Sequence, residues 1–166
     1  MIKFSCEKVF LQNAIAVTSR AVAQKSSIPA LEGLLIHADQ QLTISGYNMQ
    51  TGIRTNVFAN VVEGGDIVLN ARLFGDIIRR MPDDMITFTA DEKMMVHVSC
   101  GDADFYILGL SAADYPELPE VEDEYEVSMK QSVLRRIIEE VAFAVSTNES
   151  RPVHTGALFE ISDTGL

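Results

Sequence analysis

The chain has few of the features that mark secreted, membrane-spanning or metal-binding proteins. Only two of its 166 residues are cysteines, and Cys6 and Cys100 are too far apart for a CxxC motif. We therefore expect buried, reduced thiols instead of a disulfide or a metal site. The longest apolar runs, such as 14–17, are far too short to span a bilayer. Because the N-terminus lacks the apolar core of a signal peptide, a cytoplasmic protein is expected.

Catalytic motifs are also absent from the sequence. His37 and His97, two of the three histidines, fall inside strand-like patterns, where packing explains them better than catalysis. No glycine-rich phosphate loop, G-x-S-x-G sequence or metal-spaced cluster occurs. Acidic pairs such as Asp83-Asp84 fall in turns, where solvent exposure explains them better than metal binding. We expect no catalytic residue, no cofactor and no metal, and a metal-dependent phosphoryl-transfer enzyme is the weakest functional hypothesis.

The sequence does contain an internal repeat. A shift of 123 positions, without a gap, aligns apolar residues at helical spacing, a proline and a glycine. The matched pairs include Leu11 and Leu134, Ile15 and Ile138, Ala21 and Ala144, Pro29 and Pro152, and Gly33 and Gly156. We expect residues 1–120 to form one complete domain, and residues 121–166 to form a linker and the opening of a second copy.

Hydrophobic periodicity predicts an α+β fold. Helices are expected over 9–22, 71–81 and 131–146, with Ser132 as a candidate N-cap. In the first helix, the main apolar stripe comprises Phe10, Ala14, Val17 and Ala21, with Leu11, Ile15 and Val22 beside it. Alternation with a period of two predicts strands over 2–6, 34–38, 41–46, 53–63, 66–70, 85–90, 94–99 and 104–109.

These elements follow one order twice: a strand, a helix and three strands. Phe4 and Cys6 before the first helix match Ile67 and Leu69 before the second, so a weaker repeat of 63 residues lies inside the first domain. This order predicts a helix pair packed on one face of an antiparallel sheet. Segment 112–126 carries two prolines and seven acidic residues, and is expected to be an extended linker.

The net charge of −11 is unevenly distributed. Segments 7–25, 71–81 and 130–147, which contain the helices, hold nine basic and four acidic residues, whereas the rest holds four basic and twenty acidic residues. An acidic chain with basic helices can present a positive track to an anionic partner. The candidate phosphate-binding residues are Arg20, Lys25, Arg72, Arg79, Arg80, Arg135 and Arg136.

The same residues leave two functional hypotheses open. No aromatic residues are interleaved with the basic ones, so contact with the backbone of duplex DNA fits better than base stacking on a single strand. The alternative is a non-DNA protein–protein adaptor, in which the cations serve only helix ends and solubility. For example, Arg79 and Arg80 end a helix, where its dipole stabilises positive charge.

Several motifs, in order, resemble the bacterial DNA polymerase III beta subunit, the replicative sliding clamp. They are Met1–Phe4, Ser27–Ile36, Ala71–Pro82, Ala113–Pro119 and Ser150–Gly156. The resemblance implies the DNA clamp fold, with one complete module and part of a second. In the family, three such domains form each subunit, and two subunits close head-to-tail into a homodimeric ring. Helices line the hole of this ring. The ring gives processivity to the polymerase and does not itself catalyse a reaction.

The resemblance also implies sites and partners. Lys25 and Arg72 match positions where the family contacts double-stranded DNA, and Arg79 is a third expected contact. Arg151, Pro152 and His154 fall where the family has one wall of a pocket for short peptides of the polymerase catalytic subunit, the clamp loader and repair proteins. His154 replaces a residue that is usually aliphatic. The family continues beyond Leu166, so we expect an N-terminal portion of such a subunit.

Overall fold

The computed structural model describes residues 1–119, 126–148 and 150–161. The chain divides into two compact units, Met1–Pro119 and Glu120–Leu166. None of the described helices is both long and apolar enough to cross a membrane.

The first unit contains two helices and two antiparallel sheets. Its strands are β1 (Ile2–Glu7), β2 (Gly33–Ala38), β3 (Leu42–Tyr47), β4 (Gly52–Val57), β5 (Asn60–Glu63), β6 (Gly65–Asn70), β7 (Met85–Ala90), β8 (Met95–Cys100) and β9 (Ala103–Leu108). Its helices are α1 (Lys8–Thr18) and α2 (Ala71–Arg80), and short 3-10 turns cover Ser19–Ala21, Pro29–Glu32 and Ala112–Asp114. The predicted α+β class is confirmed.

The strand before each helix joins the sheet formed by the other half of the unit. One sheet has the order β5-β1-β7-β8-β9 and the other β4-β3-β2-β6. Thus β1 pairs with β7, which follows α2, while β6 pairs with β2, which follows α1. This exchange agrees with the predicted 63-residue repeat and places Phe4, Cys6, Ile67 and Leu69 in one core.

The sequence did not predict the division into two sheets. The single strand expected over 53–63 is in fact two strands, β4 and β5, which pair with β3 and β1 respectively. Phe58 and Ala59 separate them, with neither a glycine nor a proline at the break. Exposed and partly buried residues alternate along both strands, so only the strands with which they pair distinguish β4 from β5.

Helix α1 buries only part of the predicted apolar stripe, together with the residues predicted beside it. Leu11, Ala14, Ile15 and Thr18 are buried, whereas Phe10 and Val17 are exposed. The buried face is held close to the sheet, because a Cβ on Gly46 of β3 would lie 2.2 Å from the carbonyl oxygen of Thr18. The apolar residues surround much of this helix, so periodicity alone does not determine which of them are buried.

The two helices pack together in opposite directions. Residues after α1 (Ser19, Val22) lie beside the start of α2, while Lys8 at the start of α1 contacts Met81 after the end of α2. At the crossing, a Cβ on Gly75 would lie 3.3 Å from Cγ2 of Ile15, so a small residue permits close approach. This pairing brings the end of each helix to the start of the other.

The described part of the predicted linker packs on the first unit. Tyr115 is buried, and its hydroxyl donates a 3.4 Å hydrogen bond to the carbonyl of Ser45 on β3. Leu118 lies against Gly52, where a Cβ would come within 2.8 Å of it. Residues 112–119 therefore belong to the first unit, and 120–125 lie outside the described residues.

The second unit reproduces the start of the first at the predicted shift of 123 residues. Its helix α3 (Gln131–Val141) and 3-10 turns (Ala142–Ala144 and Pro152–Thr155) have the same bounds as the elements of the first copy after that shift. A hydrogen bond from Ser146 N to the carbonyl of His154 likewise matches one from Ala23 N to the carbonyl of Leu31. The repeat is confirmed, but Ser132 is not the N-cap, because Lys130 holds that position without a side-chain bond.

Candidate nucleic-acid interface

A cleft of about 650 Å³ opens where the chain leaves α1 and enters α2. Its lining includes Ser19, Gln24, Glu32, Asn70 and Arg72. The antiparallel helix pair creates this cleft, because it places the loop after α1 beside the N-terminus of α2. Residues far apart in sequence thereby share one polar surface, which we call the cationic cleft.

Arg72 is the second residue of α2 and is exposed. Its charge stands at the positive end of the helix dipole, where cations are disfavoured, and the first turn of α2 has no acidic residue. Asn70 caps the helix by accepting a 3.0 Å hydrogen bond from Leu73 N. The guanidinium and the helix N-terminus therefore contribute positive potential in the same place, which favours an anion there.

Lys25 and Arg20 add positive charge beside this cleft. Lys25 is exposed on the loop next to Gln24, and Arg20 lies in the 3-10 turn that includes Ser19. The loop is tied back by a 3.1 Å hydrogen bond from Ser26 N to Oε1 of Glu32. Among the described residues, no carboxylate lies within salt-bridge distance of Arg20, Lys25 or Arg72.

A second cleft, at the other end of the helix pair, is lined by more acidic than basic side chains. This cleft, of about 500 Å³, is lined by residues that include Glu7, Lys8, Asp83 and Asp84. Lys8 belongs to the basic residues of the helical segments, but it is buried and bonded to Asp83, so it is unavailable to a phosphate. Lys8 therefore adds no accessible cation at this end of the helix pair.

The remaining candidate phosphate-binding residues differ in whether a carboxylate lies beside them. Nη2 of Arg79 lies 2.7 Å from Oδ1 of Asp76, whereas Arg80 is exposed and has no carboxylate partner in the part of the chain that the structure describes. In the second unit, Arg135 and Arg136 pair with acidic residues one turn later, at 2.9 Å from Glu139 and 3.6 Å from Glu140. These exposed pairs are weak and leave the arginines accessible.

The residues expected to bind peptides lie together at the start of one 3-10 turn. Arg151, Pro152 and His154 are exposed, and His154 N donates a 3.0 Å hydrogen bond to the carbonyl of Arg151. After the shift of 123 residues, His154 corresponds to Leu31, which is only 1% exposed in the first unit. The first copy thus buries an apolar side chain where the second presents an imidazole.

The buried thiol of Cys6 is not a reactive group. Burial raises the pKa of the Cys6 thiol from 9.0 to about 12, so that thiol stays protonated and unreactive. Groups of three or more His, Cys, Asp or Glu side chains suited to a metal ion do not occur among the described residues. The sequence missed the cap by Asn70 and the bond to Glu32; the Asn at the boundary of a strand and a helix was the available signal for the first.

Comparison with known proteins gives consistent matches. The sequence profile of "DNA polymerase III beta subunit, N-terminal domain" matches residues 2–119. The beta sliding clamp of Lactococcus lactis is 35% identical, covering 99% of this chain and 46% of that protein. The crystal structure of the beta subunit from DNA polymerase of Streptococcus pyogenes is 32% identical with a TM-score of 0.84, covering 92% of this chain and 42% of that one.

A third match was solved with a ligand. The sliding clamp of Pseudomonas aeruginosa bound to griselimycin is 26% identical with a TM-score of 0.81, covering 90% of this chain and 41% of that one. The chain therefore spans less than half the length of these relatives.

Proposed function

This chain belongs to the DNA polymerase III beta subunit family, and on that premise we propose that it serves as part of a sliding clamp. Its fold is the clamp fold of its solved relatives. In the proposed role, residues 1–120 form a complete ring module and residues 121–166 begin a second. The protein encircles duplex DNA as a homodimeric ring and confers processivity on the replicative polymerase. It catalyses no step itself and acts in the cytoplasm.

The observation that carries this proposal is that Arg72 lines the cationic cleft, while Arg20 and Lys25 directly follow the lining residues Ser19 and Gln24. The chain as a whole carries a net charge of −11, yet these three cations have no carboxylate partner among the described residues. A polyanion releases its condensed counterions when such cations neutralise its phosphates, and this release drives binding. Arg79, Arg80, Arg135 and Arg136 would add weaker contacts.

These contacts suit a protein that must hold DNA and still move along it. Flexible lysine and arginine side chains on phosphates carry no sequence information, so one register on the duplex is as good as the next. Encirclement then keeps a bound polymerase at a high effective concentration near its primer, although each contact is weak. Encirclement keeps the ring on the DNA, and the basic residues position the duplex within it.

The experiment is duplex binding as a function of salt, measured by fluorescence anisotropy with the 166-residue chain and its K25A/R72A variant. We expect the slope of log K against log salt to fall in magnitude by about 0.9 for each phosphate that the variant no longer neutralises. K93A, which removes an exposed lysine in the turn between β7 and β8, is the matched control and should keep the wild-type slope. Equal slopes for all three proteins would reject the assignment and favour the non-DNA adaptor.

We further propose that Arg151, Pro152 and His154 contribute one wall of a site for short peptides of the polymerase, the clamp loader and repair proteins. All three side chains are exposed; Pro152 and His154 lie in one 3-10 turn, and Arg151 is its N-cap. Griselimycin is a direct probe, because a related clamp was solved with it. Calorimetry should show tighter binding by H154L, which places an apolar side chain on this wall, than by wild type. Equal affinity of wild type, H154L and R151A would exclude the site.

A further inference from the structure

The second unit exposes apolar residues at positions that form the core of the first unit. After the shift of 123 residues, Ile138 and Phe159 correspond to Ile15 and Ile36, which are 4% and 0% exposed. In the second unit, Ile138 and Phe159 are 44% and 50% exposed. The same contrast holds for Val127, Met129 and Val141, whose counterparts Phe4, Cys6 and Thr18 are buried. The second unit therefore presents one half of a core as an open surface.

In the first unit, each half of the core is covered by a similar half. The 63-residue repeat relates Phe4, Leu11 and Ile15 of the first half to Ile67, Phe74 and Ile78 of the second, and all of them lie in one core. Helices α1 and α2 pack in opposite directions, and the strand before each helix joins the sheet of the other half. An approximate two-fold axis therefore relates the two halves.

The strand register is the same on both sides of this axis. Phe4, the third residue of β1, lies opposite Phe88, the fourth residue of β7. Ile67, the third residue of β6, lies opposite Ile36, the fourth residue of β2. In both pairings, the third residue of the strand before one helix meets the fourth residue of the strand after the other helix. A half of this kind can therefore pair with an identical half in the same register.

The second unit contains both segments that such pairing needs. Residues 126–130 correspond to the end of β1, and residues 156–161 correspond to β2. Neither segment forms a strand in the part of the chain that the structure describes. In the register of the first unit, Val127 would lie opposite Phe159 of a second copy, and Ser128 opposite its Leu158.

We propose that the second units of two copies of this chain pair about an exact two-fold axis. Helix α3 packs antiparallel on α3 of the other copy, and residues 126–130 of each copy join a sheet with residues 156–161 of the other. The contact is isologous, because the same surface is used on both copies, so it closes at two. Removal of the exposed apolar half cores from water drives the pairing. This dimer does not require DNA and uses a surface other than the cationic cleft.

One residue of α3 opposes this pairing. Where α1 and α2 cross, a Cβ on Gly75 would lie 3.3 Å from Ile15. The repeats of 63 and 123 residues match these two positions to Arg135 and Ile138. The Arg135 side chains of both copies would therefore lie near the axis. R135A should lower the dissociation constant of the dimer about threefold, because like charges across an interface are unfavourable.

The first test is sedimentation velocity of the 166-residue chain over a range of concentrations. Wild type should convert from monomer to dimer as concentration rises. I138D and F159D should each raise the dissociation constant by at least about tenfold, because each buries an unpaired carboxylate in the dimer. F143D is the matched control and should dimerise as wild type, since Phe143 is 87% exposed and its counterpart Arg20 is exposed in the first unit.

The second test is disulfide cross-linking, which reports the register. An equimolar mixture of S128C and L158C should form a covalent dimer on oxidation, whereas either variant alone should form far less, and the native Cys6 and Cys100 are buried. Equal cross-linking in the separate variants would contradict the register. A wild-type chain that stays monomeric at its highest soluble concentration would overturn the proposal. Association of I138D and F159D equal to that of wild type would also do so, because it would place the contact on another surface.

Discussion

Lys8 holds the beginning of α1 to the end of α2, since its Nζ donates a 2.6 Å hydrogen bond to the carbonyl of Met81. The same ammonium lies 2.7 Å from Oδ1 of Asp83. A buried lysine bonded to a carbonyl just beyond a helix C-terminus satisfies an acceptor that would otherwise be orphaned. The antiparallel placement of the two helices, and with it the cationic cleft at their other end, is stabilised by this contact.

We predict that K8M lowers the free energy of unfolding by about 2 kcal/mol, the usual range for a charge-assisted hydrogen bond to a buried group. D83N should cost less than about 1 kcal/mol, because an exposed ion pair contributes little and the Asp83 side chain is 94% exposed. Urea denaturation of the three proteins measures both values. A loss in D83N as large as in K8M would mean that the ion pair, and not the bond to Met81, holds the helices.

The role of Lys8 shows where sequence reasoning ends. The sequence shows Lys8 only as one of the basic residues in the helical segments, because its partners lie more than 70 residues away and come together only once the chain is folded. The 123-residue repeat, in contrast, was readable because register, proline and glycine are local properties of each copy. The burial of Leu11 in place of Phe10 depended on the sheet beneath α1, which no helical periodicity encodes.

The candidate site, too, could be predicted from the sequence only in part. Arg20, Lys25 and Arg72 were each identifiable as basic residues in an acidic chain. Their placement in or next to one cleft, however, follows from the antiparallel helix pair, and neither spacing nor composition specifies that geometry. By contrast, the pairing of Arg79 with Asp76 could be predicted from the sequence, because the two residues are three apart on one helix.

Stability should fall at alkaline pH because of Tyr115. Burial raises the pKa of its hydroxyl from 10.0 to about 12, so the unfolded chain loses this proton first as the pH rises. The stabilisation is complete below pH 10 and is lost progressively between pH 10 and 12. We predict that wild type loses about 2 kcal/mol more than Y115F over this range.

Urea denaturation at a series of pH values measures this difference. At neutral pH, Y115F should already be about 1 kcal/mol less stable, because it lacks the hydrogen bond to the Ser45 carbonyl. Two curves that run parallel through the alkaline range would contradict the buried, protonated state of Tyr115.

Backbone strain at Met49 provides a stabilising substitution. Met49 has a φ of 71°, in the left-handed region that disfavours residues with a Cβ, and it is 57% exposed at the tip of the β3–β4 hairpin. We predict that M49G raises the melting temperature, with a gain of about 0.5–1 kcal/mol. Met94 has a similar φ of 62° but packs against the core. M94G is therefore the matched comparison, and it should gain less or lose stability, since it gives up that packing.

Close approach of α1 to β3 predicts a severe effect at Gly46. A Cβ there would lie 2.2 Å from the Thr18 carbonyl oxygen, so G46A must displace the end of α1 and should cost about 3 kcal/mol. At Gly101 the space is open and only its φ of 58° resists a side chain, so G101A should cost about 1 kcal/mol. Chemical denaturation compares the two, and equal losses would show that backbone conformation, not contact with Thr18, governs both sites.

The ion pair between Arg79 and Asp76 should weaken the contact of Arg79 with duplex DNA. The 2.7 Å contact holds the Arg79 guanidinium beside a carboxylate, which opposes a phosphate at the same place. D76N should free the arginine and increase the magnitude of the salt slope for duplex binding by about 0.9, the value for one additional neutralised phosphate. D39N removes the same charge from the hairpin between β2 and β3, away from the helices, and controls for net charge. If D76N and D39N tighten binding equally and leave the slope unchanged, Arg79 does not contact the duplex, and the interface is confined to the cationic cleft.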